Sequence, residues 1–151
     1  MCGMVRKLPT TSRSLPIALL RARERVMGPV RNMLSSVDIT EQQWRVLRVL
    51  QENGNMEPTR IAEEACLLLP SLTRILQKLE EKNMIQRDPD TKDRRKQIVR
   101  IMPAGERIIE ENLELSLELS ASIRERMGPD RHDLLLDLLN ELELAEADHA
   151  N

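Results

Sequence analysis

A mainly α-helical chain carrying one small antiparallel hairpin is the fold this sequence predicts, on three observations. Apolar residues recur at helical spacing in several segments, as in Leu72, Ile75, Leu76 and Leu79, which puts them on one stripe of a helix. Start and stop signals punctuate those segments: Thr40 with Gln43, Asn53-Gly54, Asn83 and Gly128-Pro129. The runs 84–88 (MIQRD) and 98–102 (IVRIM) are short, β-compatible and separated by a turn-rich charged loop, as in a two-stranded hairpin.

Composition narrows the function classes. With one Trp and no Phe or Tyr, the core must be aliphatic, and recognition of single-stranded nucleic acid by aromatic stacking is excluded. Cys2 and Cys66 lie in no CxxC or Cys/His cluster, so a reducing cytoplasm and no zinc are expected. No apolar run approaches the roughly 20 residues of a membrane span, and the N-terminus lacks the apolar core of a signal peptide. The histidines, His132 and His149, fall in the last helix or its end, and there is no Ser/His/Asp set or phosphate-cradling glycine loop. Neither catalytic residues nor a metal or cofactor are therefore expected, and an enzyme is not. The net charge of −2 conceals a segregation: residues 1–37 carry Arg6, Lys7, Arg13, Arg21, Arg23, Arg25 and Arg31 against Glu24, whereas the tail after Ile109 is dominated by Glu and Asp. One surface of such a molecule attracts a polyanion while another faces solvent or a partner subunit.

Taken in order, residues 1–14 lack periodicity and contain Pro9, which makes them an arm. A helix follows over about 16–37, with Ile17, Leu20, Met27, Val30 and Leu34 on one side, and Gly28-Pro29 is expected to kink or interrupt it. Thr40 and Gln43 form a capping box, Ile39 can staple to Trp44, and the helix runs through Leu47 and Leu50 to Gly54, a left-handed stop. Trp44 is a core residue or the wall of a ligand site. A short helix opens at Pro58 or Thr59, with Ile61, Ala62 and Ala65 inward, and a turn around Cys66-Leu67 leads to a helix over 68–82. Pro70 suits its first turn, and Leu68 and Leu69 are expected to pack beneath its start. Its outward set is Ser71, Thr73, Arg74, Gln77 and Lys78: either a solvated face or side chains that reach phosphates and base edges in a major groove.

Asn83 stops that helix, and the hairpin carries Lys92, Arg94, Arg95 and Lys96 at its tip, tempered by Asp90 and Asp93. At least one of these aspartates should orient an Arg. A hairpin directly after the second helix of a helix-turn-helix is a wing, whose basic tip can reach the adjacent minor groove and its phosphates. Pro103-Ala104-Gly105 then launches a long helix to about Met127, and Asp130 caps a final one with Leu134, Leu135, Leu138, Leu139 and Leu142. Helices so rich in Leu exceed what a small domain can cover, which points to a second copy of the chain. The predicted organisation is an arm (1–14), a winged helix-turn-helix DNA-binding domain (38–103) and a helical dimerisation domain built from the N- and C-terminal helices (15–37 and 104–147).

Over about residues 15–146 this order resembles the MarR (multiple antibiotic resistance regulator) family of bacterial winged-helix transcription factors. DPDTKDRRKQIVRIMPAGE is similar to the family's wing signature, with Pro-Ala-Gly in place of the commoner Thr-x-x-Gly, and SLTRILQKLEEKNMIQRD resembles its recognition helix running into the first wing strand. TSRSLPIALLRARE looks most like the subgroup that represses operons for homoprotocatechuate and related aromatic-acid degradation. The resemblance implies a homodimer on a pseudo-palindromic double-stranded operator, with Ser71, Thr73, Arg74, Gln77 and Lys78 in the major groove and Arg94, Arg95 and Lys96 serving the wing; Arg95 also has Asp93 as a competing partner. It further implies a repressor released by a small aromatic carboxylate. Arg13 stands where it resembles the family's carboxylate-binding Arg, with Arg21 and Arg23 as alternatives and Trp44 as a wall; for each Arg a surface ion pair or phosphate contact is the competing role. Two rivals stand beside this: a redox-responsive regulator using Cys2 or Cys66, the latter otherwise a small core residue, and a helical dimeric adaptor whose winged lobe binds protein.

Overall fold

The computed structural model describes residues 6–147. A short 3-10 turn, Thr11–Arg13, precedes α1 (Leu15–Ser35), and then come α2 (Glu41–Asn53), α3 (Pro58–Glu64), α4 (Leu69–Glu81), the strands β1 (Ile85–Pro89) and β2 (Gln97–Ile101), and α5 (Pro103–Glu111), α6 (Leu113–Met127) and α7 (Pro129–Ala147). The expected interruption at Gly28-Pro29 does not occur, because α1 runs on through Pro29. Proline there forfeits one backbone hydrogen bond, but the turn after it drives Met33 and Leu34 into the core, with Val30 packed against it.

The central helix is α2, which lies against α1, α3, α4, α5 and β2. Its start is fixed locally. The Gln43 N–H donates to Thr40 Oγ1 and the Thr40 N–H donates to Gln43 Oε1, each at 3.1 Å, and Ile39 and Trp44 are both buried. Gly54 ends it at φ 76°, a conformation that favours glycine. From α2, α3 and α4 the core takes Leu47, Leu50, Ile61, Leu72, Leu76 and Leu79, each 2% exposed or less. Asn83, at φ 57°, terminates α4: its N–H donates to the Glu80 carbonyl at 2.9 Å and the Met84 N–H to the Leu79 carbonyl at 3.0 Å, the paired closure of a Schellman motif. The two strands pair antiparallel with Ile85 opposite Ile101 and Arg87 opposite Val99, and Met56 bridges to Val99 on the other edge.

Two boundaries differ from expectation. The long helix after the wing is divided at Asn112, a buried residue whose Nδ2 donates to the Ile108 carbonyl at 2.8 Å. A side-chain amide that takes such an acceptor competes with the helical ladder. The last helix begins at Pro129, and the Gly128 carbonyl accepts from the His132 N–H at 2.9 Å, so Asp130 sits in the first turn instead of capping it. There its charge still favours the helix N-terminus. Leu115 and Leu117 of α6 and Leu134, Leu136 and Leu138 of α7 remain 43–56% exposed.

Candidate nucleic-acid interface and the cavity behind it

On α4 the side of Leu72, Leu76 and Leu79 is buried, and Ser71, Thr73, Arg74, Gln77 and Lys78 are all exposed. Ser71, Arg74 and Lys78 line one open groove with Thr40 and Gln42 at the start of α2. The Thr73 hydroxyl donates to the Leu69 carbonyl at 3.0 Å, which leaves its oxygen as an acceptor. Lys78 lies 3.8 Å from Glu81 with both side chains more than half exposed, a pairing too weak to hold the ammonium from a stronger anion.

The wing is fastened to this helix by Arg87, a residue that neither helical nor strand spacing in the sequence marks out. Glu80 of α4 accepts from Arg87 Nη2 at 2.9 Å and from the Arg87 backbone N–H at 3.1 Å. Those hydrogen bonds hold the Glu80 carboxyl below its ordinary range and raise the Arg87 guanidinium above its own. At the hairpin's tip, Asp93 Oδ1 accepts from the Arg95 backbone N–H at 3.1 Å and from Arg95 Nε at 3.3 Å, so this aspartate does orient an Arg. The Arg95 side chain is still 92% exposed. Arg94 is exposed, and Lys96 Nζ lies 3.7 Å from Glu57. Arg95 and Lys96 share a cleft with Thr59 of α3 and Leu69 of α4.

The connection into α4 corrects the expectation for Leu68, Leu69 and Cys66. Cys66 takes φ 52° and is exposed rather than buried in the core. Its N–H donates to the Glu63 carbonyl and the Leu67 N–H to the Ala62 carbonyl, a second Schellman closure in which the residue after the left-handed one turns inward. Leu67 therefore packs against the core, whereas Leu68 and Leu69 are 77% and 45% exposed. Cys2 and His149 lie outside the described residues.

Behind the lobe, Trp44 and Arg48 stand one turn apart on α2 and share two adjoining cavities. One, of about 290 Å³, is completed by Arg23, Met27, Glu41 and Arg45. The other, of about 330 Å³, is walled by Ile109, Leu113 and Ser116 among others. Arg48 also borders a third, largely apolar cavity between α1, α6 and α7. The Nε of Arg45 is buried without a hydrogen-bond partner among the described residues. Of the three arginines proposed for a carboxylate, one protomer brings only Arg23 to Trp44, and Arg23 is bonded to Glu41. Arg21 donates to Thr11 Oγ1 at 3.1 Å, and Arg13 is exposed in the 3-10 turn, outside these cavities. Arg48, four residues after Trp44, stands on the same helical face as the indole, a spacing that would have shown it in the sequence.

Glu41, 12% exposed at its side chain, joins α2 to α1 through Arg23 and through Arg31 at 3.3 Å. The hydrogen bond from Arg23, and then that from Arg31, hold its carboxyl below the usual glutamate range. A carboxyl depressed in the folded state contributes stability above the unfolded value of about 4.3 and loses it as pH falls through the folded value. The melting temperature is therefore expected to fall on acidification below about pH 4.3, with Glu41→Gln less stable at pH 7 and less sensitive to acid; identical pH profiles for the two proteins would contradict the linkage. Among the described residues no group of three His, Cys, Asp or Glu could hold a metal, and no helix is long and apolar enough to cross a membrane.

The MarR family model matches residues 39–96, from the start of α2 to the wing tip. The transcriptional regulator FarR of Neisseria gonorrhoeae is 39% identical over 137 residues, covering 89% of this chain and 94% of FarR. The homoprotocatechuate degradative operon repressor of Escherichia coli is 40% identical over 93 residues, 62% of this chain and 63% of the repressor. Among solved structures, NadR in complex with 4-hydroxyphenylacetate is 39% identical and matches with a TM-score of 0.78, covering 89% of this chain and 97% of NadR. Likeness of this degree along nearly all of FarR, on a fold in which α4 and the wing form one braced unit, places the protein: the chain belongs to the MarR family of DNA-binding transcriptional regulators.

Proposed function

We propose that this chain is a homodimeric repressor of an aromatic-acid catabolic operon, and that it leaves a pseudo-palindromic operator when a small aromatic carboxylate binds beside Trp44 and Arg48. Residues 15–37 and 104–147 pair two copies and 38–103 form each DNA-binding lobe, a division supported by the uncovered leucines of α6 and α7. Ser71, Thr73, Arg74, Gln77 and Lys78 meet the major groove, while Arg94, Arg95 and Lys96 reach the flanking minor groove. A twofold axis then calls for inverted half-sites about 34–36 Å apart.

The observation that carries the effector is the juxtaposition of Arg48 with the Trp44 indole in two adjoining cavities. A carboxylate in an apolar cleft needs a cation that is not already committed. Among the described residues Arg48 has no ion-pair partner, whereas Arg23 is held by Glu41. That NadR is seen with 4-hydroxyphenylacetate supports the same ligand class here. Since α2 carries both Trp44 and the Glu41 link to α1, occupancy of the cavity would favour a different lobe spacing, mismatched to successive grooves.

Calorimetric titration with 4-hydroxyphenylacetate and related hydroxyphenylacetates and benzoates tests this. Arg48→Ala is expected to weaken binding by about ten- to a hundredfold, the worth of one charge-assisted hydrogen bond. Absence of binding by every such acid would dismiss the effector, and undiminished binding by the variant would remove Arg48 from the site.

A further inference from the structure

We infer that Leu68 and Leu69, at the start of α4, read the 5-methyl group of thymine in the operator half-site; this rests on the operator reading above. Two aliphatic side chains, 77% and 45% exposed, stand where the helix begins, and the first residues of a recognition helix are the ones that meet base edges. The surroundings of Leu69 are polar, with cations in excess. It shares its cleft with Arg95, Lys96 and Thr59, and with Glu57, which lies 3.7 Å from Lys96 Nζ, and Ser71 and Arg74 follow within the next turn and a half. Flanking cations select a polyanion over an apolar protein surface, and the major groove of duplex DNA presents one aliphatic group, the thymine methyl.

A second observation is independent of exposure. Leu68 occupies the N-cap of α4 and makes no side-chain cap, at a position where Ser, Thr, Asp or Asn would stabilise the helix. The core does not require leucine there, because Leu67 fills that role. Other helices of the chain also start without a side-chain cap, but at Leu68 an exposed leucine forgoes both the cap and a core contact and so is free to meet a ligand.

The test uses duplexes that the wild-type protein selects from a random-sequence pool, with each thymine replaced singly by deoxyuridine. That exchange deletes the methyl and leaves every hydrogen-bonding group in place. At one or two thymines per half-site, wild-type affinity is expected to fall about fourfold, the worth of one buried methyl-sized group. In Leu68→Ala or Leu69→Ala the thymine duplex binds more weakly and the difference between thymine and uracil at that base disappears. Leu68→Ser should lose the preference while raising the melting temperature through the new cap, a combination that a purely structural leucine would not produce. Selected half-sites lacking thymine, a wild-type affinity that no uracil changes, or a uracil effect that persists in the variant with both leucines replaced by alanine would each overturn the inference and leave the operator reading standing. Failure of the wild-type protein to select any duplex would overturn both.

Discussion

Gly105→Ala is expected to lower the free energy of unfolding by about 3 kcal/mol, the scale of an unrelieved overpacking. A Cβ at this position would lie 2.5 Å from the Met84 carbonyl oxygen, 2.9 Å from Ile101 Cγ1 and 3.2 Å from Leu47 Cδ2. The nearest atom is backbone and is committed, since that carbonyl accepts from the Met102 N–H at 2.8 Å. Leu47 is fully buried, so α5 would have to back away from both the wing base and α2. In urea denaturation the midpoint should drop with an unchanged slope. A variant as stable as the wild type would show that this three-way contact is not tight.

Arg74→Ala is expected to weaken operator binding by about 1–3 kcal/mol, roughly five- to 150-fold, while leaving the melting temperature unchanged. Its helix is held from behind by Leu72, Leu76 and Leu79 and from the side by the Glu80–Arg87 pair, none of which involves Arg74. The guanidinium stands exposed in the groove with Ser71 and Lys78. Its removal should therefore delete a contact without disturbing the frame that presents the others. Equal affinity of variant and wild type for the selected operator would exclude Arg74 from the interface.

Features governed by neighbours in sequence were legible. The Thr40–Gln43 box, the α4 stripe and the Asn83 stop each depend on residues within about one helical turn, and each stands in the structure as expected. What escaped the sequence depends on geometry set elsewhere. Which of three consecutive leucines faces the core is decided by the left-handed Cys66. The division at Asn112 turns on one side-chain amide outcompeting the helix ladder. Glu41 meets Arg23 across a separation of 18 residues, and that long-range pairing commits an arginine which charge alone would have left available. Arg48 likewise lines cavities that form only where α1 and α6 close around α2.

The central claim, that paired polar helices and cationic wings grip a duplex, is tested most directly by equilibrium binding of the purified chain to its selected operator over a series of salt concentrations, with stoichiometry read in the same titration. Two chains per duplex are expected, with log affinity falling linearly in log salt and a slope shallower by about one in Lys78→Ala. Binding indifferent to salt, or full affinity from a single chain, would contradict it.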